Sequence, residues 1–297
     1  MDKTIVKAVF IIPFYDKDIV QLFDTIESVK YYIKEPYSII CINDCVKDKN
    51  IELLEKKIIS ENVINFVPDY KATWPRNGYG PLFCKIYQGM EYALKLYKFD
   101  YIIKIDTDAL VTGANLFEYI DNYFRTNNNR IGLIGSYRVR ADGEKRTRWQ
   151  WALYLFYLIY FKKLLSKESL IWKAYKTKAQ QNGYKLGESV LGGVYVFSYE
   201  CIRKIIETYP YNSIVDDKLY LTKIGEDVIF SLLTFASDFR IGDFGRPDDP
   251  IAIAQNFLPI SKEEVTKKNK KLIHSTKKGL NGESEEELRA YFRSFRK

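Results

Sequence analysis

The run Lys104-Ile105-Asp106-Thr107-Asp108 closes an apolar stretch with two carboxylates on alternate residues. On an extended strand exit such side chains point the same way. Paired carboxylate oxygens suit a hard divalent cation such as Mg²⁺ or Mn²⁺, and a cation held there would bridge a diphosphate. A second acidic group, Gly225-Glu226-Asp227-Val228, opens another apolar stretch. Acids favour a helix start, and a carboxylate in that position can also act as a general base, taking a proton from an attacking hydroxyl. The only histidine, His274, sits in Leu272-Ile273-His274-Ser275-Thr276-Lys277-Lys278. A lone histidine is most often structural, yet neutral imidazole is a common metal ligand, and Lys277 and Lys278 stand where they would meet phosphate.

Such residues need a scaffold that brings them together. Val6–Phe14, Ser38–Ile42, Val63–Val67, Tyr101–Ile105 and Ile131–Gly135 read as strands. Ile19–Tyr32, Ile51–Ile59, Pro81–Tyr97 and Leu116–Phe124 read as helices between them. Strands alternating with helices imply βαβ units and a mainly parallel sheet flanked by helices, an α/β fold. Ligands of such sheets bind at the carboxyl ends of the strands. Pro13, Tyr15 and Asp16 follow the first strand, Asn43 and Asp44 the second, and Asp106, Thr107 and Asp108 a later one. Helix capping explains one or two of these carboxylates; three at strand ends point to a site. Further on, Trp149–Leu165, Tyr199–Tyr209 and Asp227–Phe235 read as helices, and Val190–Phe197 as a strand whose pair Gly192-Gly193 allows close backbone approach. Ser284 and Glu287 form a capping box for a C-terminal helix.

The chain has 297 residues, 46% of them hydrophobic and 28% charged, enough for a large core without a metal or disulfide staple and unlike a disordered chain. The formal charge of +8 favours an anionic partner or reflects a lysine-rich surface. Cys41, Cys45, Cys84 and Cys201 show no paired Cys-x-x-Cys spacing, so a structural zinc site is not expected, and buried reduced thiols are. The apolar run at 8–14 lacks a small-residue cleavage site, and the longest uncharged stretch, 149–161, falls short of the ~20 residues a spanning helix needs. The expectation is a cytoplasmic protein. Arg138, Arg140, Lys145, Arg146 and Arg148 precede an aromatic segment, 149–163, which fits either a core helix or contact with the inner face of a membrane.

Taken together these segments resemble the GT-A glycosyltransferases, which use nucleotide-sugar donors. Val9-Phe10-Ile11-Ile12-Pro13-Phe14-Tyr15 with Ile42-Asn43-Asp44 resembles the nucleoside-binding start of family-two-like members. Tyr101 to Leu110 resembles the D-x-D segment of galactosyltransferase-like members. Val190 to Ser198 resembles their glycine-containing strand beside the sugar, and Glu226-Asp227-Val228 their acidic motif. The resemblance spans roughly residues 5–240 in order and spacing. It implies a Rossmann-like GT-A domain over 1–297, with a nucleotide-binding half at 1–110. An acceptor-binding half would span 111–260 with a helical insert at 138–185, and a C-terminal metal-ligand segment and helix 261–297.

It also implies roles. Pro13, Tyr15, Asp16, Asp44, Thr107, Gly192 and Gly193 would line the donor site. Asp106 and Asp108 would hold Mn²⁺ or Mg²⁺ with His274 as a third ligand, and Lys277 would meet phosphate. Arg76 and Lys85 are candidates for the basic residue at the diphosphate. Asp227, assisted by Glu226, would be the base of an inverting transfer, with a uridine diphosphate sugar as donor and a glycan or lipid-linked acceptor. A role in polysaccharide or glycolipid synthesis follows by analogy only. A retaining enzyme, or a nucleic-acid- or membrane-binding protein without catalysis, are the alternatives. A sugar nucleotidyltransferase is disfavoured because Phe10–Lys17 has no glycine, and a P-loop enzyme because no Gly-Lys-Ser/Thr loop occurs.

Overall fold

The computed structural model describes residues 3–44, 62–69, 79–127, 130–146, 152–153, 155–157, 167–211 and 222–296. The expected helix at 51–59, Cys45, Arg76 and most of the aromatic segment 149–163 lie outside the described residues.

Seven strands form the main sheet: Ala8–Phe14, Tyr37–Asn43, Val63–Phe66, Tyr101–Ile105, Ile131–Gly135, Val194–Ser198 and Arg240–Asp243. Numbered with the shorter strands Thr4–Ile5 (β1), Tyr97–Lys98 (β5), Ala109–Val111 (β7), Ile251–Ile253 (β11) and Leu272–His274 (β12), they are β2, β3, β4, β6, β8, β9 and β10. The sheet order is β10-β8-β9-β6-β2-β3-β4. Neighbours run parallel except β9, which is antiparallel to both β6 and β8. The expected mainly parallel sheet is therefore present, with one reversed strand.

The sheet is buried on both faces, which is why its strands read as unbroken apolar runs. Alternation along β2 divides its side chains between two cores. Val9 and Ile11 pack with Phe83, Tyr87 and Met90 of the helix Tyr79–Leu96 and with Phe230. Phe10, Ile12 and Phe14 pack on the opposite face with Leu22, Ile26 and Val29 of α1, Ile19–Tyr32, and with Phe117. In chain order the next helices are α2, Tyr79–Leu96; α3, Leu116–Thr126; α4, Lys167–Gln181; α5, Tyr199–Thr208; α6, Glu226–Ala236; α7, Lys262–Lys267; and α8, Glu285–Arg293. The capping box of α8 is formed as expected, Ser284 and Glu287 each accepting from the other's backbone.

Two expectations need correction. Val190–Phe197 is not one strand: pairing begins at Val194. Gly193 has φ +91°, a left-handed conformation that glycine tolerates, and the Gly192 amide is turned out of the ladder toward Asp227. The first strand starts at Ala8 rather than Val6.

A small second sheet, β11-β12-β7, lies at the end of β6. The chain leaves β6 at Ile105, turns through Asp106 to Asp108, and re-enters as β7, which pairs antiparallel with β12 so that Ala109 faces His274. The turn is clamped from outside. The Thr25 hydroxyl of α1 donates to the carbonyls of Thr107 (2.8 Å) and Ala109 (2.9 Å). Arg289 of α8 donates to the Thr107 carbonyl at 2.6 Å, to Asp24 at 2.8 Å and to Glu285 at 2.9 Å. The C-terminal helix thus braces the acidic turn. Arg289→Leu removes three hydrogen bonds, one buried and two part-buried, and is expected to lower unfolding free energy by about 1–3 kcal/mol, read from the urea midpoint.

Candidate active site

Sheet pairing assembles the acidic residues. β9 runs beside β6 with Lys104 opposite Tyr195 and Ile105 opposite Val194. The next residues meet directly, the Asp106 amide donating to the Gly193 carbonyl at 2.8 Å. Pairing of β12 with β7 sets His274 beside the same turn. Asp106, Asp108 and His274 consequently offer ligand atoms within 4.8 Å of one another. His274 Nε2 lies 3.2 Å from Asp108 Oδ1 and 3.8 Å from Asp106 Oδ2.

The other ring nitrogen settles the tautomer. Nδ1 is 2.7 Å from the Ala254 carbonyl, which can only accept, so Nδ1 carries the proton. That leaves Nε2 facing the two carboxylates, as the ring nitrogen that would ligate a cation held among them. The donor set of two carboxylates and an imidazole suits Mn²⁺ or Mg²⁺ better than a soft metal. Burial alone would raise the Asp108 carboxyl. His274, the Ser275 hydroxyl (2.5 Å) and Lys277 (3.2 Å) outweigh it and hold the group well below the usual carboxylate range. Asp108 is thus kept ionised, as a ligand must be.

Gly192-Gly193 separates this group from the second acidic pair. A Cβ on Gly193 would fall 2.4–2.6 Å from the His274 ring, and one on Gly192 would fall 3.2 Å from Glu226 Oε1. These contacts and the positive φ require glycine at Gly193, while at Gly192 a Cβ would press on the Glu226 carboxylate. Asp227 accepts from the Gly192 amide at 3.0 Å and the Val228 amide at 2.9 Å, which fixes both its oxygens. Burial, and next the charge of Glu226, push the Asp227 carboxyl up to about 7 despite Arg146 and the two amides.

Lys104 joins the two acidic pairs. It is fully buried, and its ammonium lies 2.7 Å from Asp106 Oδ1 and 3.2 Å from Glu226 Oε1. Burial would lower its pKa, but these two carboxylates hold it above the ordinary lysine value. Lys104 was quoted with the acidic motif but given no role, because a lysine inside an apolar strand carries no spacing signal for a partner 122 residues away.

A cavity of about 710 Å³ opens over these groups. Asp106, His274 and Lys277 lie along its lining with Gly192, Gly193, Glu226 and Asp227, and its lining also includes Arg140, Arg146 and Phe257. The last three had no sequence signal as site residues; the two arginines stood out only as part of the basic run. The other expected site residues occupy the neighbouring strand ends rather than the cavity wall. Pro13 is the last residue but one of β2, beside Ile42, Tyr15 follows the strand, and Asp16 begins a short 3₁₀ turn. Asp44 and Lys85 form a buried ion pair, with the Lys85 ammonium 5.3 Å from the centre of the Tyr15 ring. Burial and the charge of Asp44 push the Tyr15 hydroxyl up to about 12. Thr107 is the clamped centre of the acidic turn.

The basic and aromatic segment can be followed only in part. Among the described residues no helix is long and apolar enough to cross a membrane.

No protein-family model matches the sequence, and no curated protein matches it. Solved structures with a similar course include the bifunctional glycosyltransferase WbbM in its apo form, at 14% identity and TM-score 0.47 over 94% of this chain. The chain spans 46% of the WbbM chain. The galactosyltransferase LgtC, solved with donor and acceptor sugar analogues, is 12% identical at TM-score 0.48, covering 96% of this chain and 95% of that one. Residues 1–349 of S. aureus TarS are 14% identical at TM-score 0.43, covering 81% of this chain and 58% of that one. These likenesses are too distant to assign a family.

Lys104→Met would leave Asp106 and Glu226 without their shared counter-charge, and the expected loss is about 3–5 kcal/mol. Adding Glu226→Gln should recover part of it, a coupling that a double-mutant cycle in urea would measure.

Proposed function

We propose that this protein is a metal-dependent glycosyltransferase that moves a sugar from a nucleoside-diphosphate donor, with uridine diphosphate as the favoured carrier, to a hydroxyl of a glycan or lipid-linked acceptor. The observation that carries this reading is a single cavity lined both by Asp106 and His274, which with the buried Asp108 form a cation-type donor set, and by a buried carboxylate raised to about 7, Asp227. Transfer to a hydroxyl needs those two functions side by side: stabilisation of a departing diphosphate and removal of a proton from the attacking oxygen.

Asp106, Asp108 and His274 would hold Mn²⁺ or Mg²⁺, which when bound offsets the charge of the diphosphate. Lys277, 59% exposed at its side chain and 3.2 Å from Asp108, adds a positive group at the same end. Asp227 accepts the acceptor's proton. Its two backbone bonds aim it, and Glu226, kept beside it by Lys104, raises its proton affinity toward neutrality. The Asp44–Lys85 pair and Tyr15 lie at the strand ends where the nucleoside would sit. A base of this kind implies a single displacement with inversion at the anomeric carbon. The nucleotide-binding half at 1–110, the acceptor half at 111–260 and the ligand-bearing segment at 261–297 follow from the same reading.

Binding, rate and product measurements test it. Uridine diphosphate with Mn²⁺ should raise the melting temperature, with ~2.7 kcal/mol of added stability at a hundredfold excess over Kd, and chelator should abolish the shift. Asp108→Asn should remove the metal-dependent part; a nucleotide shift that survives both chelator and this variant would exclude the cation site. Asp227→Asn should bind nucleotide normally but lose ~10²–10⁴ in transfer rate. The parent rate should rise with pH and level off above about 7, because the base must be ionised to accept a proton. Proton NMR of the product would then show inverted anomeric configuration.

A further inference from the structure

Arg146 lines the cavity on the same wall as Asp227, and neither the cation site nor the base uses it. Its Nη1 atom donates to three backbone carbonyls, Ser136 at 2.5 Å, Tyr137 at 3.2 Å and Ser189 at 2.8 Å. Those bonds lock the guanidinium in place. They leave the Nε and Nη2 edge without a partner among the described residues. That edge is not sealed inside the protein: Arg146 keeps part of its surface exposed and lines the cavity.

The acids nearest Arg146 are already committed. Asp243 accepts from the amides of Tyr137, Arg138 and Val139, and Asp227 from those of Gly192 and Val228. Both are close enough for their charge to act on Arg146, yet neither forms an ion pair with it. The other cations of the wall differ. Arg140 is paired with Asp142, Lys277 is paired with Asp108, and Lys145 is exposed to solvent and not fixed as Arg146 is.

An arginine fixed by one nitrogen, with its Nε and Nη2 donors open to a cavity, is a preorganised fork for two oxygens of a carboxylate or phosphate. We infer that Arg146 binds an oxyanion on the acceptor, so that the acceptor is an acidic sugar or a sugar phosphate rather than a neutral glycan. This rests on the glycosyltransferase reading. The acceptor is favoured over the donor because Arg146 lies by Asp227, the group that meets the acceptor hydroxyl, whereas Lys277 and the three metal-type ligands serve the diphosphate end.

The test uses the intact protein loaded with uridine diphosphate and Mn²⁺. Calorimetry would compare three sets of methyl glycosides, gluco, galacto and manno, each as the neutral sugar, the uronic acid and the 6-phosphate. At least one acid should bind tenfold or more tightly than its neutral counterpart, and the uronate and phosphate arms show which oxyanion is used. Arg146→Gln should close that gap, and Arg146→Lys, which keeps the charge but not the fork, should restore only part of it. Failure of the nucleotide to bind would overturn the glycosyltransferase reading and this inference with it. Nucleotide binding with no preference for acids in the parent protein would overturn the inference alone, whether or not the variants fold. A variant that weakens uridine diphosphate binding while keeping the acid preference would also overturn it, by placing Arg146 on the donor.

Discussion

The buried ammonium of Lys104 is the interaction on which the rest of the site depends. A charge with no exposed surface is tolerated only when paired, and here one ammonium is shared by Asp106 and Glu226. The pairing ties the end of a central strand to the first turn of α6, so neither acidic motif can move without exposing or stranding a charge. It also leaves the centre electronegative, because two carboxylates share one cation. With Asp108 ionised nearby, the imbalance favours a divalent cation at one end and raises the proton affinity of Asp227 at the other.

Environment thus pushes two aspartates in opposite directions, which suits the separate tasks proposed for them. Asp108 sits among donors, His274, Ser275 and Lys277, and remains a carboxylate. Asp227 is buried beside Glu226 and rises into the neutral range. Gly192-Gly193 is the spacer that keeps the two apart. A side chain at either position would intrude on the groups that flank it, so the backbone itself forms the floor between the cation-type ligands and the base.

Much of this was legible in the sequence, for identifiable physical reasons. β2, β3 and β6 are buried on both faces and so read as apolar runs, and the rule that ligands collect at strand ends led from them to Asp44, Asp106 and Asp108. His274 was reachable because imidazole is rare in this chain and chemically distinctive. The reversal of β9 was not legible, since an apolar strand carries no mark of its direction. Nor was the β7-β11-β12 sheet, whose three-residue strands are too short for periodicity, although that sheet is what delivers His274 to Asp108. Lys104 and Arg146 were missed as site residues for a related reason. Their roles come from partners distant in sequence, and composition alone presents them as one more lysine in a strand and one more arginine in a basic run.

Charge placement carries a last consequence for how substrates are held. Lys85, expected to face the diphosphate, is committed to Asp44 in a buried pair, so its charge is largely neutralised before any ligand arrives. What remains for an anionic substrate at the acidic turn is the cation-type ligand set and the exposed Lys277. Arg146 stands on the same cavity wall by Asp227, with Glu226 and the ammonium of Lys104 linking that end to Asp106. With a cation bound, the lining would carry positive charge at the acidic turn and at Arg146, with the Glu226 and Asp227 carboxylates close to both. A field of that form resists a single anion settling across the middle, where Asp227 needs an uncharged hydroxyl, and favours two anionic groups held at the ends with the hydroxyl between them. In the proposed transfer, the electrostatics that raise Asp227 would also order the substrates around it.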